Sequence, residues 1–108
     1  MFYDDIDPHA LDTGIVHFAG SRLGALWARC RTLDCDVVAD VHVHPGRATQ
    51  SRSDQQNPVM PRAGHIALIL PNYAVGRCMP NEIGIFEYLG DARWVDQTRR
   101  GERFFRVS

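Results

Sequence analysis

The chain contains no lysine: all twelve of its basic residues are arginine. A GC-rich coding sequence is the simplest source of that bias. Against thirteen acidic residues the formal charge is −1, so there is no basic surplus to argue for a nucleic-acid partner. Cysteine is scarce. Cys30, Cys35 and Cys78 are odd in number and form no Cys-x-x-Cys pair, so neither a disulfide framework nor a cysteine-built zinc site is indicated. A reducing cytoplasm is the default expectation for such a chain. No apolar run approaches the length that spans a bilayer. The start, Met1-Phe2-Tyr3-Asp4-Asp5, lacks the basic region and apolar stretch of a secretory signal. Repeats, low-complexity tracts and linkers are also missing. With 108 residues, 44% of them apolar, the expectation is one small domain with one core over residues 1–108.

What is present is concentrated in Asp40-Val41-His42-Val43-His44-Pro45-Gly46, followed by Ser51 and Asp54. Val37 to His44 is β-branched and alternating, which predicts a strand. Side chains two apart on a strand share a face, so His42 and His44 stand side by side with Asp40 one step back. Val37, Ala39, Val41 and Val43 are then expected to point the other way, into an apolar layer. Pro45 lacks a backbone donor and turns the chain out of the ladder. Ser51-Arg52-Ser53-Asp54 has the spacing of a helix start, with Ser51 as N-cap or Asp54 in the first turn. Asp54 could then reach back to a metal held by both imidazoles, with Ser51 beside it. Two imidazoles and one carboxylate are a usual catalytic zinc set, with a fourth position left for water. Zinc there would lower the pKa of that water and polarise a neighbouring carbonyl.

This arrangement resembles the JAB/MPN (JAMM) metalloprotease family, whose motif is His-x-His-Pro, a short loop, then Ser-x-x-Asp. Gly46, Asn57-Pro58 and Gly64-His65-Ile66-Ala67-Leu68-Ile69-Leu70-Pro71 look like its prokaryotic branch, as do Gly84-Ile85-Phe86-Glu87-Tyr88 and Arg93-Trp94. The likeness covers about residues 23 to 108. It implies an α+β fold, a mixed β-sheet flanked by helices, with zinc held by His42, His44 and Asp54. It also implies that Ser51 hydrogen-bonds the tetrahedral intermediate, an oxyanion-type role. Members cleave peptide or isopeptide bonds after the C-terminal tail of ubiquitin or a ubiquitin-like protein. The family's general base is a glutamate on an early strand, and here the chain departs from the pattern: its first glutamate is Glu82. Either the N-terminal strand that carries the base is missing from the start of this chain, or the domain is a catalytically incomplete module that binds metal and a ubiquitin-like or other partner. The first is the expectation. Under the resemblance, the absence of lysine also denies such a tag any side-chain amine on this protein.

Elsewhere, helical spacing of Val16, Ala19, Leu23, Leu26 or Trp27, Cys30 and Leu33 predicts an amphipathic helix over roughly 15 to 33, with Trp27 as a core residue. His9 and His17 are expected at the surface or helix edge. Residues 46 to 64 read as a long loop with at most a short helix, flanked by Arg47 and Arg52. Ile66 to Leu70 reads as a strand buried on both faces, and Asn72 to Pro80 as another loop. His65 opens the next strand near the first of these loops; it could stand behind the metal ligands, but a hydrogen-bonded structural histidine is the expectation. Short strands are expected at 83–89, 92–95 and 103–107. Two other families that open with His-x-His are excluded. The amidohydrolase-type and phosphoesterase barrels need about 250 residues, and a cupin needs a glutamate soon after its histidines.

Overall fold

The computed structural model describes residues 1, 2, 5, 8 and 23–106. Val16, Ala19, His9 and His17, and with them the first part of the expected helix, lie outside the described residues. The chain divides into two compact units, Met1–Asp36 and Val37–Ser108.

In the first unit the helix α1 runs Leu23–Leu33. Leu26 is buried, with Leu23 and Cys30 partly covered on the same stripe. Trp27 is 39% exposed, and Leu33 is exposed as well. The expected core role of Trp27 is therefore corrected: of the two alternatives at that turn, Leu26 takes the inward position, and the next residue lies about 100° further round the helix. Asp34 ends α1 in the left-handed region, φ 50°. The Cys35 amide donates to the Cys30 carbonyl at 3.0 Å and the Asp34 amide to the Arg31 carbonyl at 3.4 Å, the two bonds of a Schellman stop.

The second unit is a four-stranded mixed sheet in the order β1-β2-β3-β4, with β1 Ala39–Val43, β2 Ile66–Leu70, β3 Gly84–Gly90 and β4 Arg93–Asp96. β1 and β2 are parallel, and the other two pairs antiparallel. The fold is α+β, as expected. Parallel neighbours need a long crossover, and residues 44–65 are that crossover. It contains one short helix, α2, at Arg52–Gln56. The loop rich in polar residues thus has an architectural reason to leave the end of β1 and return to the start of β2.

Register places Asp40, Ala67, Phe86 and Asp96 in one row, and His42, Ile69 and Gly84 in the next. Ala67, Ile69 and Phe86 form the core on that face, with Ala48 of the crossover and Trp94 of β4 packed against them. The Trp94 indole donates to the Gln55 carbonyl at 3.1 Å, tying the end of α2 to β4. On the opposite face the expectation is overturned. Val41 is 51% and Val43 43% exposed. The crossover and Trp94 cover the Asp40/His42 face instead, so the valines are not the buried set. For the same reason Ile66, Leu68 and Leu70 are only partly buried while Ala67 and Ile69 are buried, so β2 is closed on one face and half-covered on the other.

The strand expected at 103–107 is corrected over its described residues, 103–106. Thr98–Phe104 is 3₁₀-helical and broken at Gly101, φ 50°. Its start is fastened to β3 by the Ile85 amide donating to Thr98 Oγ1 at 3.0 Å. Arg100 lies over the Phe104 ring at 5.1 Å, so these aromatics stack locally rather than join the ladder.

Candidate metal centre

β1 and the residue just past its end place His42 and His44 side by side, with ring centroids 5.1 Å apart. The ladder continues past the strand, since the His44 amide donates to the Leu70 carbonyl at 2.9 Å. Beyond Pro45 the chain is held by a left-handed turn at Asn72, Tyr73 and Ala74, with φ between 52° and 58°. That turn aims the Tyr73 amide at the His44 carbonyl, 2.7 Å, and the Asn72 amide at the Gly46 carbonyl, 3.0 Å. Three successive non-glycine residues at positive φ are costly, and such strain persists where surrounding structure imposes it. Here it fixes the main chain on both sides of Pro45.

The third group arrives through a capping box. Ser51 is the N-cap of α2; its Oγ accepts from the Asp54 amide at 3.2 Å. Asp54 Oδ2 in turn accepts from the Ser51 amide at 2.6 Å. This reciprocal pair satisfies two donors at the helix start and leaves the carboxylate little freedom. Asp54 Oδ2 then lies 3.2 Å from His44 Nε2, and Oδ1 3.5 Å from His42 Nε2. One ligand atom from each of His42, His44 and Asp54 falls within 4.8 Å of the others, so the group could hold a metal ion. All three are partly buried, and Ser51 is exposed at their edge. All four residues expected at the site are brought together.

His42 Nε2 supplies a test of fit. It is buried and makes no hydrogen bond. A buried imidazole nitrogen left without a hydrogen bond, between His44 and Asp54, stands where a ligand set would place its shared ion. Behind it, His42 Nδ1 lies 3.2 Å from Asp40 Oδ2. Asp40 Oδ1 lies 2.7 Å from His65 Nε2, and both residues are buried. His65 is therefore hydrogen-bonded, as expected, but its partner touches the site.

Without metal the group's electrostatics are those of an ion pair. Burial opposes the charged form of His42, yet the Asp40 carboxylate bonded to its Nδ1 and the negative charge of Asp54 beside its Nε2 prevail, raising its pKa to about 9. Burial likewise opposes the Asp54 carboxylate, but the positive His42 ring beside it and the hydrogen bond from the Ser51 amide hold its pKa well below the usual carboxylate range. A proton thus occupies the place where a cation would be favoured.

Glutamates do not join this group. Glu82 accepts from the Met79 amide at 2.7 Å, and Glu87 from Gln97 at 3.0 Å. Asp40 is expected on the histidine face and His65 near the site, but the bond between them is not; it joins residues 25 apart, beyond any local pattern. Among the described residues, no helix is long and apolar enough to cross a membrane. No protein-family profile matches the chain.

Proposed function

We propose that the chain is a JAB/MPN-type zinc hydrolase that cleaves peptide or isopeptide bonds after the C-terminal tail of a ubiquitin-like protein. The observation that carries this reading is the convergence of His42, His44 and Asp54 with an unbonded, buried His42 Nε2. Histidine nitrogens with one carboxylate oxygen suit zinc, and three protein ligands are the pattern of a catalytic rather than a structural site. Zinc so held supplies Lewis acidity toward an amide carbonyl and toward water. The protein's own part is to hold Asp54 through the Ser51 cap and to offer the Ser51 hydroxyl at the open edge. That hydroxyl accepts from the Asp54 amide and retains its proton for donation to a developing oxyanion.

A second reading rests on a specific observation. Glu82 and Glu87 are committed elsewhere in the fold, and no glutamate of the described residues joins the cluster. On that reading the domain binds metal and a ubiquitin-like or other partner without hydrolysis. A base contributes about 10²–10⁴ in rate, so the two readings differ measurably. The test is cleavage of a ubiquitin-like protein fused through its C-terminal tail, using the full chain loaded with one equivalent of zinc. Release of the tail that stops with chelator and returns with zinc supports the hydrolase. Full metal loading with no cleavage replaces it with the binding module.

A further inference from the structure

We propose that Asp40 and His65 are a positioning pair for the metal centre: together they set the His42 imidazole in the tautomer that presents Nε2 to the ion. This rests on the reading of His42, His44 and Asp54 as metal ligands. The Asp40 side chain is only 7% exposed and the His65 side chain 1%. An ionised carboxylate only accepts hydrogen bonds, so each ring nitrogen facing it must donate. His42 Nδ1, at 3.2 Å from Oδ2, therefore carries a proton, which leaves Nε2 with its lone pair on the side of Asp54. His65 Nε2, at 2.7 Å from Oδ1, carries the proton that holds the carboxylate in line.

The backbone leaves this pair little play. Asp40 is fixed in the parallel ladder opposite Ala67. His65 immediately precedes that strand; its amide donates to the Arg62 carbonyl at 3.1 Å, and its carbonyl accepts from the Tyr88 amide at 2.8 Å. Stability alone gives weak reason for the arrangement. Buried charged pairs are often matched or bettered by apolar residues of similar volume. A carboxylate behind a ligating imidazole, by contrast, raises ligand basicity and fixes ring orientation.

The test uses the full chain and two variants, Asp40→Asn and His65→Gln, with zinc dissociation constants measured by competition against a chromophoric chelator. Long-range ¹H–¹⁵N correlations assign the His42 tautomer, in zinc-loaded protein and in metal-free protein at a pH where the same spectra show the ring neutral. Expected are Nδ1–H in the wild type, loss of that single tautomer in Asp40→Asn, and zinc binding weakened about 10–100-fold. His65→Gln should shift the same two readouts less. A variant with lowered thermal stability but wild-type zinc affinity and tautomer would make the pair merely structural and overturn the proposal. A wild-type His42 protonated on Nε2 would overturn it even if a variant failed to fold. A wild type that binds no zinc but shows the Asp40-dependent Nδ1–H tautomer would overturn the metal reading and leave the pairing standing.

A separate observation assigns a modification site in the first unit: we infer that Cys30 and Cys35 form a reversible disulfide. The Schellman stop puts these residues at the two positions whose side chains ordinarily touch there. Cys35 is exposed, and both thiols are free and line an open depression of about 450 Å³ with Trp27, Arg31, Asp34 and Asp36. With a hydroperoxide as oxidant, the Cys35 thiolate attacks the near oxygen and breaks the O–O bond, giving a sulfenic acid; the leaving alkoxide or hydroxide takes a proton from solvent and departs as alcohol or water. The Cys30 sulfur then displaces water from it, forming the S–S bond. Burial and the adjacent Cys35 thiol raise the Cys30 pKa, which suits it to the resolving rather than the attacking role. The test is mass spectrometry of peroxide-treated Cys78→Ser protein. Loss of two hydrogens, mapped to a Cys30–Cys35 peptide and reversed by dithiothreitol, is expected. Sulfinic acid or intermolecular disulfide as the only product would overturn it and leave the cysteines as the ordinary apolar contact of a helix stop.

Discussion

Gly84→Ala is the substitution that most directly couples the sheet to the metal-bearing loop. Gly84 is buried on β3 opposite Ile69, in the row that contains His42. A Cβ added there would lie 2.9 Å from Phe86 Cε2 and closer still to the carbonyl of Ala48. Ala48 lies between His44 and Ser51, so relief requires either the crossover to lift from the sheet or the β2–β3 ladder to open. Overpacking of this kind costs about 1–3 kcal/mol. At about 4–8 °C per kcal/mol for a unit of this size, the melting temperature should fall by several degrees at least. Because the same movement displaces the Ser51 cap that holds Asp54, zinc binding should weaken along with stability. Gly46→Ala is the control: a Cβ there meets nothing within 4 Å, so both quantities should stay near wild type. The assay is thermal unfolding of the metal-free protein with zinc titration on the same samples. A Gly84→Ala protein with unchanged melting temperature and zinc affinity would refute the packing of residues 44–51 against β3.

Ile69→Ala should lower stability by about 2–5 kcal/mol, because Ile69 is fully buried at the centre of the core; a loss under 1 kcal/mol in denaturant unfolding would contradict that placement. Ser51→Ala should retain zinc, because the residue-51 amide still holds the Asp54 carboxylate, and should lose turnover, with an added cost of about 0.5–2 kcal/mol for the lost hydroxyl cap; unchanged turnover would remove Ser51 from the chemistry. The metal-free protein should be most stable in mildly acidic solution. The His42 contribution is complete below its unfolded value of 6.5 and is lost as pH rises through about 9. The Asp54 contribution is complete above its unfolded value of 3.8 and is lost as pH falls below it. A melting temperature that rises steadily from pH 6 to pH 9 would contradict this ion pair.

The parts of the site legible in the sequence were those governed by local rules. Alternation on β1 gave the shared face of His42 and His44, and the Ser-x-x-Asp spacing gave the cap that orients Asp54. Alternation does not say which face of a strand is covered. Val41 and Val43 look like the inward set by composition, but the tertiary cover falls on the polar face, where Asp40 is satisfied by His65. That bond joins residues 25 apart in the chain and depends on the parallel register of β1 and β2, which no local pattern contains. The end of the chain failed for a related reason. Phe104 and Phe105 have strand-forming character, yet Gly101 at positive φ and the stacking of Arg100 and Phe104 close a tight helical turn instead.

The central claim is a metal site built by three side chains, and metal stoichiometry tests it most directly. Purified wild-type protein dialysed against micromolar zinc should retain one ion per chain by elemental analysis. His42→Ala, His44→Ala and Asp54→Ala, each confirmed folded by circular dichroism, should retain none after the same treatment. One zinc per chain in all three variants, or none in the wild type, would contradict the account.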